Sequence, residues 1–195
     1  VHFLPGCDVY QESWKDQNPE FVFLTWNWES LQKVLPKTPF LKDIASIETT
    51  KDDIILSTML AYHYGGVIVS RPEKCSMNIE RLLSRIPTTM LVTFKAAGDT
   101  TLLDSSIIIS SAKISALNSL FSYFLQTKLK NQTKTIDVVF RDFVKQSMEA
   151  SNEGAIICLT PKMKEVFLEG VNSFDDKAIL SVISKSDFYE VAGLE

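Results

Sequence analysis

Strands and helices alternate along this chain, which predicts an α/β domain built on a central, mainly parallel sheet flanked by helices. Three observations carry that expectation. Short apolar runs rich in β-formers recur at residues 21–26, 67–69, 90–94, 107–109 and 155–159. Between them lie stretches with helical apolar spacing, as at Ile54, Ile55, Met59 and Tyr62. The composition, 45% hydrophobic and 23% charged over 195 residues, is that of a globular protein with a sizeable core. No repeat, low-complexity tract or linker interrupts the series, so residues 1–195 read as one domain.

In chain order, Val1 to Leu4 is a short apolar start closed by the turn pair Pro5-Gly6. Asn18-Pro19 marks a turn before the run 21–26, which reads as a buried strand. Residues 28–35 have helical character and stop near Pro36; residues 43–47 read as a short strand or turn. Thr50 is placed to cap the next helix, with Asp52 and Asp53 in its first turn, where carboxylates suit the helix dipole. Tyr64-Gly65-Gly66 ends that helix, since glycine accepts the left-handed conformation of a C-cap. Val67-Ile68-Val69 follows as a buried strand, and residues 79–86 form a short amphipathic helix. After strands at 90–94 and 107–109 come helices over 113–129 and 137–150. A strand at 155–159 leads to Pro161, suited to the first turn of a helix over 162–169, and residues 179–183 form a last strand.

Several function classes are set aside at this level. A net charge of −4 lacks the basic footprint of nucleic-acid binding. Cys7, Cys75 and Cys158 are odd in number and widely spaced, with no CxxC pair, which indicates neither a zinc site nor a disulfide framework. Buried free thiols suit a reducing compartment, so a cytoplasmic location is favoured over the Golgi lumen. Asn131-Gln132-Thr133 fits the glycosylation acceptor pattern without settling the compartment. No apolar run reaches the ~20 residues of a membrane span, and the start shows no leader pattern. No P-loop, nucleophile elbow or zinc motif is present.

The most recognisable stretch is Leu60-Ala61-Tyr62-His63-Tyr64-Gly65-Gly66-Val67-Ile68-Val69. It resembles the helix–Tyr-Gly-Gly–strand element of GT-A-fold glycosyltransferases of the DXD, sugar-binding-region family. That family includes yeast-type mannosyltransferases, bacterial capsule enzymes and the core of large glucosylating toxins. Other pieces fall in the family's order: Val1-His2-Phe3-Leu4-Pro5-Gly6, the Trp14 to Phe21 segment with its Asn18-Pro19, Phe23-Leu24-Thr25-Trp26, Asp104 to Ser111, Leu159-Thr160-Pro161 and Phe188-Tyr189. The resemblance spans nearly the whole chain and implies a nucleotide-sugar-binding fold.

Where the resemblance should supply chemistry, the residues are changed. In active relatives two Asp-x-Asp carboxylates hold Mn²⁺ or Mg²⁺ against the donor diphosphate. Those positions fall here on Ser70 and Pro72, with Arg71 between them. The helix aspartate falls on Ile54, with Asp53 one place early, and the helix arginine falls on Ser57. Donor-cleft candidates are therefore His2, Asp53, Ser57, Gly65, Gly66, Ser70, Arg71 and Asp104, with no metal ligand expected and the catalytic residue, if there is one, left unassigned. His2 either faces the donor base or is a buried, satisfied histidine. Arg71, with Lys74 nearby, is either a cationic substitute for the metal or part of a solvated loop. Asp99 and Asp104 flank a strand; Asp175-Asp176 reads as a surface turn.

These substitutions lead to a degenerate, non-catalytic domain acting through association with a protein partner or its own copies. The alternative is a transferase that works without the usual metal. No cofactor is expected, and Mn or Mg only if activity is retained; a nucleotide-sugar remains a possible ligand. Candidate anchors for a partner are Trp14 and Trp28, flanking a core Trp26, and the helix over 113–129, whose Phe121, Tyr123 and Phe124 lie on more than one face.

Overall fold

The computed structural model describes residues 1–38, 52–83, 91–96, 99–130, 134–149 and 156–159. Along the chain run β1 (His2–Phe3), a 3-10 turn (Asp8–Tyr10), α1 (Gln11–Gln17), β2 (Leu24–Thr25), α2 (Trp28–Val34) and a second 3-10 turn (Leu35–Lys37). Then come α3 (Asp53–Tyr64), β3 (Gly66–Val69), α4 (Glu80–Leu83), β4 (Leu91–Ala96), β5 (Asp99–Ser110), α5 (Ser115–Lys130), α6 (Ile136–Glu149) and β6 (Ile156–Leu159).

The strands form one sheet in the order β2-β1-β3-β5-β4-β6. β1 pairs in parallel with β2 and β3, and β4 in parallel with β6, while β5 runs antiparallel to both its neighbours. Five of the six strands thus share one direction, as the α/β reading requires. Val67, Ile68 and Val69 pair with Ile109, Ile108 and Ile107, all six buried at the sheet's centre. Strands buried on both faces read as continuous apolar runs, and these two do.

Side chains alternate across a strand, so His2 and Phe3 point to opposite faces. Phe3 meets Trp14 of α1 edge-on at 5.9 Å, which sets α1 on one face. His2 meets Tyr64, the last residue of α3, at 5.7 Å on the other. On that second face α3 touches β3, β5 and α6, and α6 touches α5. Sandwiched in this way, α3 buries every residue from Ile54 to Ala61 and has no polar side to show. Asp52 caps it, its carboxylate accepting from the amides of Ile54 (2.9 Å) and Ile55 (3.3 Å). Asn27 and Ser30 form a reciprocal capping box at the start of α2.

Several expectations change. Asp52 is the N-cap of α3 rather than a first-turn residue, and Thr50 lies outside the described residues. Of the run 21–26 only Leu24 and Thr25 join the ladder, and both are exposed, because β2 is the sheet's edge. The helix α1 carries no sequence signal, because only Trp14 on it is buried and one residue makes no apolar period. The strand at 107–109 is the end of a longer one that starts at Asp99, so Asp99 and Asp104 lie within a strand, not beside one. Trp14 is fully buried and offers no surface anchor. The aromatic faces of α5 are covered by the chain itself: Phe121 and Phe124 are in the core, Phe121 lies against Tyr62, and Tyr123 against Phe143 of α6. The expected elements at 43–47, 162–169 and 179–183, like Asn131-Gln132-Thr133, Asp175-Asp176 and Phe188-Tyr189, lie outside the described residues.

The turn from α3 into β3 is sterically committed. Gly65 has φ +67°, and a Cβ there would stand 2.7 Å from the Ala112 amide nitrogen and 3.0 Å from the Ser110 carbonyl oxygen. Both obstacles are backbone, which cannot swing aside as a side chain would. Gly65→Ala is therefore expected to destabilise the fold by at least about 2 kcal/mol, combining left-handed strain with overpacking. Urea denaturation of the variant against the parent checks this, and a cost below that figure would show that the turn has room to adjust.

Candidate functional site

In α/β sheets ligands gather beyond the carboxyl ends of the strands. Here that edge is made by the chain leaving β1 through Pro5-Gly6 to Cys7 and Asp8, by the chain leaving β3 through Ser70 and Arg71, and by the amino end of α3 at Asp52 and Asp53. Gly6 has φ +80° and nothing within 4 Å of where a Cβ would stand, so this turn opens onto free space.

The charges at this corner act on one another. Burial pushes the Asp53 carboxyl above the usual carboxylate range, and the Arg71 guanidinium works against that shift. Burial also raises Asp52, opposed by its bonds to the α3 amides. The Cys7 thiol is pushed up to about 11 by burial, with Asp53 and Asp8 adding to it, so it stays protonated and unreactive at neutral pH. Arg71, Pro72 and Lys74 are all exposed.

Ser70 faces the other way. It is buried, and its Oγ donates to the carbonyl oxygens of Ser105 (2.9 Å) and Ser106 (3.3 Å) on β5. Its amide bonds the Ser106 carbonyl at 2.8 Å. Asp104 joins this corner through its carboxylate, which accepts from the Ser106 amide at 2.9 Å. Ser57 is completely buried, and among the described residues its Oγ has no hydrogen-bond partner; the same holds for the Oγ of Ser106. The position expected to carry a long cationic side chain is thus a small hydroxyl enclosed by the core.

His2, Gly65 and Gly66 form a separate group. His2 is 7% exposed, and its Nδ1 accepts from the Trp26 indole N–H at 3.1 Å. Its ring lies near-parallel to Trp26 and tilted against Tyr64, and a Cβ on Gly66 would stand 3.6 Å from it. Burial lowers the His2 pKa to about 4, so the ring is neutral at physiological pH. The structure therefore brings Asp53 together with Arg71, Ser70 with Asp104, and His2 with Gly66. It does not gather the eight candidates into one cleft.

A polar clamp that the sequence did not reveal holds the loop after β3. The Trp14 indole N–H donates to the Glu73 carbonyl at 2.7 Å, and the Cys75 amide donates to Ser13 Oγ at 3.1 Å. The buried Asn18 accepts from the Ile79 amide at 2.5 Å and donates to the Trp14 carbonyl at 3.0 Å and to Cys75 Sγ at 3.5 Å. The one available signal was the spacing of Trp14 and Asn18, four apart and hence on one helical face. Among the described residues no cluster of three or more His, Cys, Asp or Glu converges as a metal site, and no helix is long and apolar enough to cross a membrane.

The sequence matches no family model and no curated protein. Among solved structures the chain is similar in fold to one described as PaToxG glycosyltransferase, with a TM-score of 0.52 and 9% identity over 76% of this chain and 68% of that one. At that identity the likeness concerns fold alone. The chain has a glycosyltransferase-like, GT-A-type α/β fold.

Two measurements follow from these side chains. Asn18→Ala leaves the Ile79 amide and Cys75 without their partner, at an expected cost of about 2–4 kcal/mol in chemical denaturation; a near-neutral effect would mean water replaces the carboxamide. His2 is neutral when folded down to about pH 4 but protonates near 6.5 when unfolded, so the unfolded chain binds more protons between those values. Stability attributable to His2 is complete above pH 6.5 and declines as pH falls toward 4. Against His2→Gln, which cannot titrate, the parent should lose about 2–3 kcal/mol more over that window. Parallel pH profiles for the two proteins would disprove it.

Proposed function

We propose that this domain is a degenerate member of the DXD-type glycosyltransferases that no longer performs metal-dependent sugar transfer and acts instead as a protein-interaction module. The observation that carries this reading is the direction of Ser70. At the position where the resemblance calls for a metal-binding carboxylate, a hydroxyl turns into the β5 backbone and spends itself on two carbonyls. Pro72 has no donor atom in its side chain, so neither position fits a hard divalent cation, which takes oxygen ligands rich in carboxylate.

Two further features support it. The Asp52 carboxylate occupies the first free amides of α3, where an anionic phosphate would otherwise be welcome. Ser57 leaves no cation inside the helix to face a diphosphate. A transferase working through Arg71 is the competing reading, favoured by that guanidinium's exposure at the strand ends beside Asp53.

Calorimetry with UDP- and GDP-sugars, with and without Mn²⁺, together with a donor-hydrolysis assay, separates the two. The expected result is no Mn²⁺-dependent binding and no turnover. Metal-free turnover that falls at least about tenfold in Arg71→Ala, the loss of a charge-assisted contact, would establish the competing reading instead.

A further inference from the structure

Helices α5 and α6 pack against each other, and where they meet the surface holds a groove of about 450 Å³. That volume falls in the range of small-ligand sites, ~300–1,000 Å³. Among the described residues its walls are Asn118, Ser119, Ser122, Tyr123 and Gln126 of α5 and Phe143 of α6, none of them charged. Asn118, Ser122 and Gln126 follow at a spacing of four, so they form one row along the helix, and Ser119 and Tyr123 form a second row beside it. The row from Asn118 to Gln126 spans about 12 Å at 1.5 Å per residue. Phe143 is buried and Tyr123 half-buried; their rings stand 5.6 Å apart and are tilted by 51°. Rings set at that angle form a notch rather than a flat platform.

The polar groups around the notch are rich in donors. Asn118 and Gln126 each carry two amide N–H groups. The Gln146 amide of α6 donates to the Tyr123 hydroxyl at 3.0 Å, which leaves the phenol proton to be donated in turn. Ser122 spends its own proton on the Asn118 carbonyl at 3.0 Å. A charged ligand would lose its water here without an opposite charge to meet it, and a purely apolar one would strip water from the amides. An α-helix keeps its carbonyls for itself, and a β-strand brings as many N–H groups as carbonyls. A proline-rich chain in the polyproline II form brings carbonyls without internal partners, no N–H at its prolines, and compact rings that suit a notch. About four of its residues, at ~3.1 Å each, match the length of the row.

We infer, on the reading of the domain as an interaction module, that the groove between α5 and α6 docks a proline-rich segment of a partner protein in the polyproline II conformation. A pyrrolidine ring enters the notch between Tyr123 and Phe143, and the segment's carbonyls accept from the amides of Asn118 and Gln126 and from the Tyr123 hydroxyl. The ligand's conformation is largely formed before it binds, so little ordering entropy opposes the contact.

The test titrates the full chain with a fluorescein-labelled decaproline peptide, beside labelled peptides of equal length made of alternating threonine and valine or of glycine and serine. The expected result is a saturable rise in anisotropy with decaproline alone. Replacing both amides, Asn118→Ala with Gln126→Ala, should weaken it at least about tenfold. Neither position is buried and alanine suits a helix, so the thermal melt should stay in place. Absence of decaproline binding to the folded protein overturns the proposal, as does binding that survives the double substitution or that a control peptide matches. Displacement of decaproline by maltohexaose would assign the groove to a saccharide and overturns it too. Donor-sugar turnover is measured alongside. Turnover with decaproline binding sinks the non-catalytic reading and leaves the groove standing, whereas lack of both sinks the groove alone.

Discussion

The buried carboxamide of Asn18 is the interaction on which the candidate site depends. It ties three otherwise separate pieces of backbone and side chain, at Trp14, Cys75 and Ile79, using both its acceptor and its donors. Because a buried polar group must be paired, the loop from Glu73 to Ile79 cannot shift without leaving this amide unsatisfied. Trp14, one turn earlier on α1, grips the same loop at Glu73. Arg71 and Pro72 therefore project from a fixed base, although they are themselves exposed. The Trp-x-x-x-Asn spacing needs no chemistry to explain it; it is the spacing at which one helical face reaches both ends of a loop.

Around that base the domain has turned its polar groups on itself. Ser70 bonds β5, Asp104 bonds the amide of Ser106, and Asp52 bonds α3. Each arrangement satisfies a backbone group within the domain. The two unpartnered hydroxyls, on Ser57 and Ser106, are sealed in the interior and face no solvent. Among the described residues the exposed side chains include the charged Arg71 and Lys74 as well as the apolar Leu24, Trp28 and Tyr64.

Much of the fold was legible because central strands and sandwiched helices write themselves as apolar runs. Val67 to Val69 and Ile54 to Ala61 are buried on all sides, and their sequences say so. The Gly65-Gly66 turn was legible for a related reason, since only glycine fits its backbone. The edge was not legible: Phe21 to Trp26 is as apolar as a central strand, and only the sheet order shows that half of it meets water. Nor was the first half of β5, whose Asp-Thr-Thr start reads as a loop until the pairing with β4 is seen. The candidate site was read position by position from a resemblance, which says which residue types stand at those positions but not where their side chains point. Ser70 was placed correctly at the end of β3; that its hydroxyl turns inward is a matter of χ1 and of a neighbouring strand distant in sequence.

The single reversed strand also divides the sheet into two regimes of assembly. β4 and β5 are joined by a tight connection, with Ala96 opposite Asp99, and a hairpin of this sort closes in about 1–10 μs. The other half has no such shortcut. His2 finds Ile68 only after the chain between them has been gathered, and parallel pairings of that kind carry a large loop-closure entropy. The hairpin, with the shortest separation between paired residues, is thus the natural template for the sheet. Among the described strands the edge strand β2 is held by only two paired residues, so little ladder opposes its fraying.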